Sequence, residues 1–340
     1  MQRFSLNGKT MGTRYTALFY APCGSDTAAI DASLFSAVDR VDRQMSSWNP
    51  ASDLCRINAA PCNTWIDVPE ELAQVLDACL KVGQQSKGAF DIAVGDLVDA
   101  WGFGPSPRAS VTQVAAPSGR AHTPATAMLD MDRSTRRIRK HAPVTLDLSG
   151  IAKGYGVDRL ARCLDDRGID AYLVGIDGEM RARGSKPDGT PWAVAIEKPT
   201  FGKREVAGVM ELRDMAIATS GDYRRWIEID GRRYSHTIDP ARRQPVSNRV
   251  AAVTVLAPTC MLADAWATAL MVLGEGEGIA LARERIMDAL FVLRDGDRIQ
   301  EVLVGGDQLA SRACVSVRAA SPALSRPGLH SVRPGSRAGK

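Results

Sequence analysis

Residues 146–158, LDLSGIAKGYGVD, lead from an apolar run (VTLDL, 144–148) through a Ser-Gly turn into a helical stretch, IAKGYGVDRLARCLDDRG, that ends at the glycine stop Gly168. A strand, a turn and a helix in that order predict an α/β (α+β) architecture. The first amides of a helix lack an intrahelical partner and attract anions. Gly150 and Gly154 let a backbone or a phosphate come close, and Lys153 adds a cation. Two readings stand open at this point: a phosphate cradle, or a tight strand-helix turn with Ser149 as N-cap. The spacing matches neither the Walker loop nor the dinucleotide GxGxxG pattern.

Downstream, strand-like runs follow one another: AYLVGI (171–176), EMRARG (179–184), WAVAIEK (192–198), VAGVMEL (206–212), MAIATS (215–220), RRWIEI (224–229) and RRYSHTI (232–238). The last two flank Asp230-Gly231, a hairpin signal because a tight turn needs positive φ. VAAVTVLAP (250–258) is a further strand, and CMLADAWATALMVLG (260–274) an apolar helix stopped by Gly274. Upstream, residues 11–20 alternate like a strand, helical spacing runs through Ile30, Leu34, Val38 and Val41, and 69–85 is an amphipathic helix with Pro69 early and Glu70 and Glu71 in its first turn. Residues 104–127, rich in Pro, Ser, Ala and Thr, read as a surface excursion. Residues 1–314 thus form a single two-lobed domain, followed by a basic tail, 315–340, too poor in large apolar residues to order itself.

The 340 residues, 45% apolar and 24% charged, suit a globular chain with a sizeable core. The net charge of +4 comes from the tail, whose five Lys/Arg leave about −1 on the remainder. A nucleic-acid-binding body is therefore not expected. Seven scattered cysteines without a CxxC pair indicate neither a disulfide framework nor a zinc site. No apolar stretch approaches the length of a membrane span, and the opening residues lack a signal-peptide core. As written, the chain is expected in the cytoplasm.

Asp264 and Thr268, four apart on the apolar helix, project from one face. A carboxylate there needs a partner to offset its desolvation. A hard cation such as Mg²⁺ would serve, as would an arginine with the threonine bonded back to its own helix. His236, in YSHTIDP with Asp239, stands at a strand end, suited to proton transfer near neutral pH or simply to the surface. Phe90, Trp101 and Phe103, like Met45 and Trp48, could stack on a flat heterocycle or fill a core.

Taken in order, GTRYTA, MSSWNPASDLCRIN, GAFDIAVGDLVDAWGFG, LDLSGIAKGYGVD, YLVGIDGEMRARG, PWAVAIEKP, IATSGDYRRW, YSHTIDP and VTVLAPTCMLADAWATALMVLG resemble the ApbE family, the FAD:protein FMN transferases, over about residues 10–295. The resemblance implies a two-lobed T-fold with mixed sheets flanked by helices and FAD in the cleft between the lobes. It implies Mg²⁺-dependent transfer of the FMN half of FAD to a threonine or serine hydroxyl of an acceptor flavoprotein, with AMP released. By motif, Gly150 (through a carbonyl of its turn), Asp264 and Thr268 would ligate the metal. Met45, Ala89, Phe90, Asp91, Asp147, Lys153 and the backbone at Ile238 would line the FAD site, and His236 would handle the acceptor's proton. FAD pyrophosphate hydrolysis and a non-catalytic FAD-binding maturation factor are the competing readings.

Four features depart from the family pattern. Asp177-Gly178 stands where two glycines are common. Arg242 and Arg243 replace Thr-Gly after IDP, and Ala267 precedes Thr268 where some members carry an acid. Most members are exported, often as lipoproteins, so a periplasmic or inner-membrane location follows if a leader is missing here.

Overall fold

The computed structural model describes residues 1–106, 122–296 and 298–305. The tail 315–340 and most of the expected excursion at 104–127 lie outside the described residues. In chain order come β1 (Gln2–Thr10), β2 (Thr13–Ala21), α1 (Thr27–Met45), α2 (Asp53–Ala59), β3 (Ile66–Asp67), α3 (Glu70–Gln85), α4 (Gly95–Ala100), α5 (Ala125–Met128), β4 (Leu129–Asp132) and β5 (Arg137–Lys140). Then follow α6 (Ala152–Asp165), β6 (Tyr172–Ile176), β7 (Glu179–Arg183), β8 (Trp192–Glu197), β9 (Val206–Leu212), β10 (Ala216–Gly221), β11 (Trp226–Ile229) and β12 (Arg232–Ser235). The last are β13 (Ile238–Asp239), β14 (Gln244–Pro245), β15 (Val250–Ala257), α7 (Cys260–Glu284), β16 (Asp288–Asp295) and β17 (Arg298–Val304).

One eight-stranded sheet, ordered β1-β2-β6-β7-β10-β15-β16-β17, organises the chain. Every ladder between these strands, and in the four small sheets, is antiparallel. The reason is connectivity: β1-β2, β6-β7 and β16-β17 are hairpins, and tight turns can join only antiparallel neighbours. Alternation along β2 covers both faces. Ala17 and Phe19 pack with Leu34, Val38, Val157 and Leu160 of α1 and α6. Leu18 and Tyr20 pack against the β8-β9 hairpin through Trp192, Val194, Met210 and Leu212. A second large core joins α2, α3 and the 144–151 segment to α7, β15 and β16.

Two sequence expectations change. Residues 144–148 alternate in burial as a strand would, with Val144, Leu146 and Leu148 inside, but belong to no sheet. Their hydrogen bonds go elsewhere: Asn58 donates to the Leu146 carbonyl at 3.0 Å and accepts its amide at 2.8 Å, Asp147 donates to Ile92, and Gly95 to Thr145. A side-chain amide and a loop thus take the part of neighbouring strands. At Gly274 the helix kinks instead of ending: φ of +76° breaks the spiral, Asn248 donates to the freed Met271 carbonyl, and a further helical stretch runs on to Glu284. The Asp230-Gly231 hairpin forms as expected, both residues at positive φ. Among the described residues no helix is long and apolar enough to cross a membrane.

Candidate active site

The junction at 146–158 lies where α6 crosses α7. Ser149 does not cap α6; its own amide donates to Asp147 Oδ1 at 2.8 Å, and the N-cap position falls to Ile151 without a side-chain bond. Of the first helical amides, Ala152 donates to Leu148 and Gly154 to Asp264 Oδ2 at 3.0 Å. The anion-attracting end of α6 is therefore partly taken up by a carboxylate of this chain. Asp158, one turn on, accepts the Cys260 and Met261 amides at the start of α7 and pairs with Arg181. The two helices thus hold each other by their N-termini.

The contact requires glycine. A Cβ on Gly154 would lie 2.4 Å from the Cys260 carbonyl oxygen and 2.8 Å from Asp264 Cβ. Gly154→Ala is expected to force α6 and α7 apart and to cost about 1–3 kcal/mol, read as a lower midpoint of denaturant unfolding. An unchanged midpoint would show that the crossing is not tight.

Asp264, 5% exposed, carries Thr268 one turn further on, and Thr268 Oγ1 lies 3.1 Å from Ser220 Oγ. A Cβ on Gly150 would stand 3.2 Å from both Thr268 Oγ1 and the Phe90 ring. The 149–150 turn therefore abuts the Thr268 hydroxyl, one helical turn from the Asp264 carboxylate. Burial, then the neighbouring Glu179, raise the Asp264 pKa well above the carboxylate range, against the opposing pull of Lys153 and the Gly154 amide. Lys153 bonds Glu179 at 2.5 Å and approaches Asp177 at 3.7 Å. Burial alone would lower the Lys153 pKa, but Glu179, Asp264 and Asp177 outweigh it and raise it. One Glu179 oxygen is buried without a partner. Among the described residues no three His, Cys, Asp or Glu side chains cluster around a point, so the corner at Asp264 and Thr268 is a set of hard oxygens built on one carboxylate.

Lys153 and Ser149 also line a cavity of about 540 Å³ with Met11, Gly12, Val41, Asp42, Met45, Trp48, Leu148 and Arg225. The aromatic question is decided by exposure. Phe90 and Trp101 are core, at 4% and 3%, whereas Trp48, 59% exposed, opens on the cavity. His236 stands edge-on to Phe103, with its backbone amide and Nδ1–H both donating to the Arg225 carbonyl at 3.1 Å. A carbonyl can only accept, so Nδ1 carries the proton and Nε2 is left as the lone-pair nitrogen. Burial, with the charges of Lys153 and Arg225 adding and the carbonyl bond opposing, brings the His236 pKa down to about 4.

The remaining candidates divide. Asp147 is desolvated, which raises its pKa against the Ser149 bonds. The Phe90 ring abuts the Gly150 turn, and the Asp91 carboxylate accepts from His122 at 2.7 Å and from the amides of Ala93 and Ala125. The Ile238 side chain packs with Leu97 and Trp101. Glu179, Ser220 and Arg225 were not singled out from sequence, although the runs YLVGIDGEMRARG and IATSGDYRRW contain them.

Comparison with known proteins follows the same outline. A family model described as the ApbE family matches residues 11–291. A curated FAD:protein FMN transferase of Vibrio cholerae is 38% identical over 305 residues, covering 88% of this chain and 90% of its own. The solved flavin transferase ApbE from Vibrio cholerae superposes with a TM-score of 0.79 at 36% identity, over 89% of this chain and 97% of that one. The apo flavinyl transferase ApbE of Pseudomonas stutzeri gives 0.78 at 35%, over 89% and 95%.

Proposed function

From the premise that this chain belongs to the ApbE family, we propose that it transfers the FMN half of FAD to a threonine or serine hydroxyl of an acceptor flavoprotein and releases AMP. The acceptor oxygen forms a bond to the FMN phosphorus as the phosphoanhydride bond breaks. AMP leaves with that bond's electron pair, and the hydroxyl proton passes to a base. The observation that carries this reading is the buried Asp264 carboxylate, tied to the Gly154 amide of a junction whose Ser149, Ala152 and Lys153 line a ligand-sized cavity.

The donor set fits Mg²⁺, which takes oxygen ligands and keeps several waters beside substrate phosphates. Asp264, Thr268 and a carbonyl of the 149–150 turn would hold it, and a desolvated carboxylate with a raised pKa gains from a cation. Bound there, the ion would supply positive charge to the diphosphate oxygens. The chain's own residues do the rest. Lys153, fixed by Glu179, keeps a second positive charge at the cavity wall. His236 Nε2, with its tautomer set by Arg225, is the base for the acceptor hydroxyl. Trp48 and Met45 offer apolar surface to the flavin or adenine ring. No step changes the oxidation state of the flavin.

Incubating the full chain with FAD, Mg²⁺ and a cognate acceptor is expected to give a flavin-fluorescent acceptor band, the added mass of FMN on one threonine or serine, and one AMP per label. FMN and AMP appearing at the same rate without acceptor would mark a pyrophosphatase, and an unlabelled cognate acceptor would sink the transfer reading.

A further inference from the structure

Among the described residues two cations line the cavity, Lys153 and Arg225, and Arg224 neighbours the second in sequence; Lys153 and Arg224 are already matched. Lys153 is bound to Glu179, and Arg224 bonds Glu197 at 2.7 Å and reaches the Asp177 carboxylate at 3.9 Å. Arg225 differs. Arg225 lines the same cavity as Ser149 and Lys153, yet among the described residues no carboxylate lies within ion-pair distance of it. Asp42, on the same cavity, does not answer it: the Asp42 pKa is raised, by burial and then Asp39, where a nearby guanidinium would lower it. The Arg225 backbone is pinned, since its carbonyl accepts both bonds from His236. An exposed arginine ordinarily spends its fork on water or a surface acid. Here a residue with a fixed carbonyl and no acid partner stands exposed on a cavity wall.

We propose that the Arg225 guanidinium grips the diphosphate of FAD, a role distinct from that of the oxygen-lined corner, and stabilises the charge that gathers on the departing AMP phosphate. The proposal rests on the reading of FAD as substrate. A guanidinium suits it because its planar donors match two phosphate oxygens at once. The same residue then sets both the tautomer of His236, through its carbonyl, and the position of the phosphate, through its side chain. A shift of β11 would misplace the two together.

The test compares wild type, R225Q and R225K as full-length protein, by FAD titration at several ionic strengths and by steady-state AMP release with acceptor. R225Q is expected to weaken FAD binding about tenfold and to lower kcat/KM for FAD by about 10- to 100-fold, the range for losing one charged donor to a reacting phosphate. R225K, with charge but no fork, should fall between. Wild-type affinity should decline with salt more steeply than that of R225Q, a difference that a purely structural role would not produce. R225Q matching wild type in binding and turnover overturns the proposal. So does R225K behaving as R225Q, or equal salt slopes. If wild type binds FAD but neither labels acceptor nor releases AMP, the transfer reading fails, while the titrations still judge Arg225.

Discussion

Asp264→Ala lowers the rate of FMN transfer by about 10²- to 10³-fold, the scale of removing one preorganised electrostatic contact from a transition state, while the midpoint of an FAD titration moves much less. The asymmetry follows from what the carboxylate touches. On the proposed reading FAD would bind with its rings and ribityl chain across the cavity lined by Met45 and Trp48, whereas Asp264 would bear on the diphosphate, where charge develops. The alanine also removes the acceptor of the Gly154 amide, so some stability is lost with it. Asp264→Asn separates the two effects. An amide oxygen can still accept from Gly154, so the unfolding midpoint should return toward wild type, but without the negative charge the transfer rate should not. Rapid transfer by the alanine variant in Mg²⁺ would remove the basis of the assignment.

His236→Gly is expected to reduce kcat by about 10²- to 10⁴-fold, the contribution of a positioned general base, with FAD affinity retained. The pH dependence is the companion measurement. With the ring pKa lowered to about 4 by burial first, Nε2 is unprotonated across the neutral range. At saturating Mg²⁺, wild-type kcat/KM should therefore stay flat on acidification well past the usual histidine pKa and fall only as the pH nears about 4. Bound diphosphate brings negative charge toward the ring and favours the imidazolium, so the acid limb of kcat should lie higher than that of kcat/KM. An unaltered flavinylation yield from the glycine variant would instead identify a carrier that delivers flavin without catalysing its attachment.

Much of the fold was legible because local patterns carry it. Alternation in VAAVTVLAP and AYLVGI, helical spacing from Ile30 to Val41, and the Asp230-Gly231 turn each reflect chemistry within a few residues. The failures share a cause. Residues 144–148 have the alternation of a strand, because alternate residues are buried in any extended segment passing through a core; whether a neighbouring strand or Asn58 receives the hydrogen bonds is not written in them. The partners of the Asp91 carboxylate, His122 and two amides, are likewise not written in its own motif.

From sequence alone came the residue types of the chemistry: an acid and a hydroxyl four apart on an apolar helix, a glycine-lysine turn, and a histidine at a strand end, in a family-like order. Tertiary structure alone decided which of these meet. It set Gly154 under Asp264, turned Glu179 onto Lys153 and, among the described residues, left Arg225 at the cavity without an ion-pair partner. Hydrogen bonding and pairing across 26 to 110 positions of chain depend on how helices and strands cross, and short-range sequence pattern carries no record of that crossing.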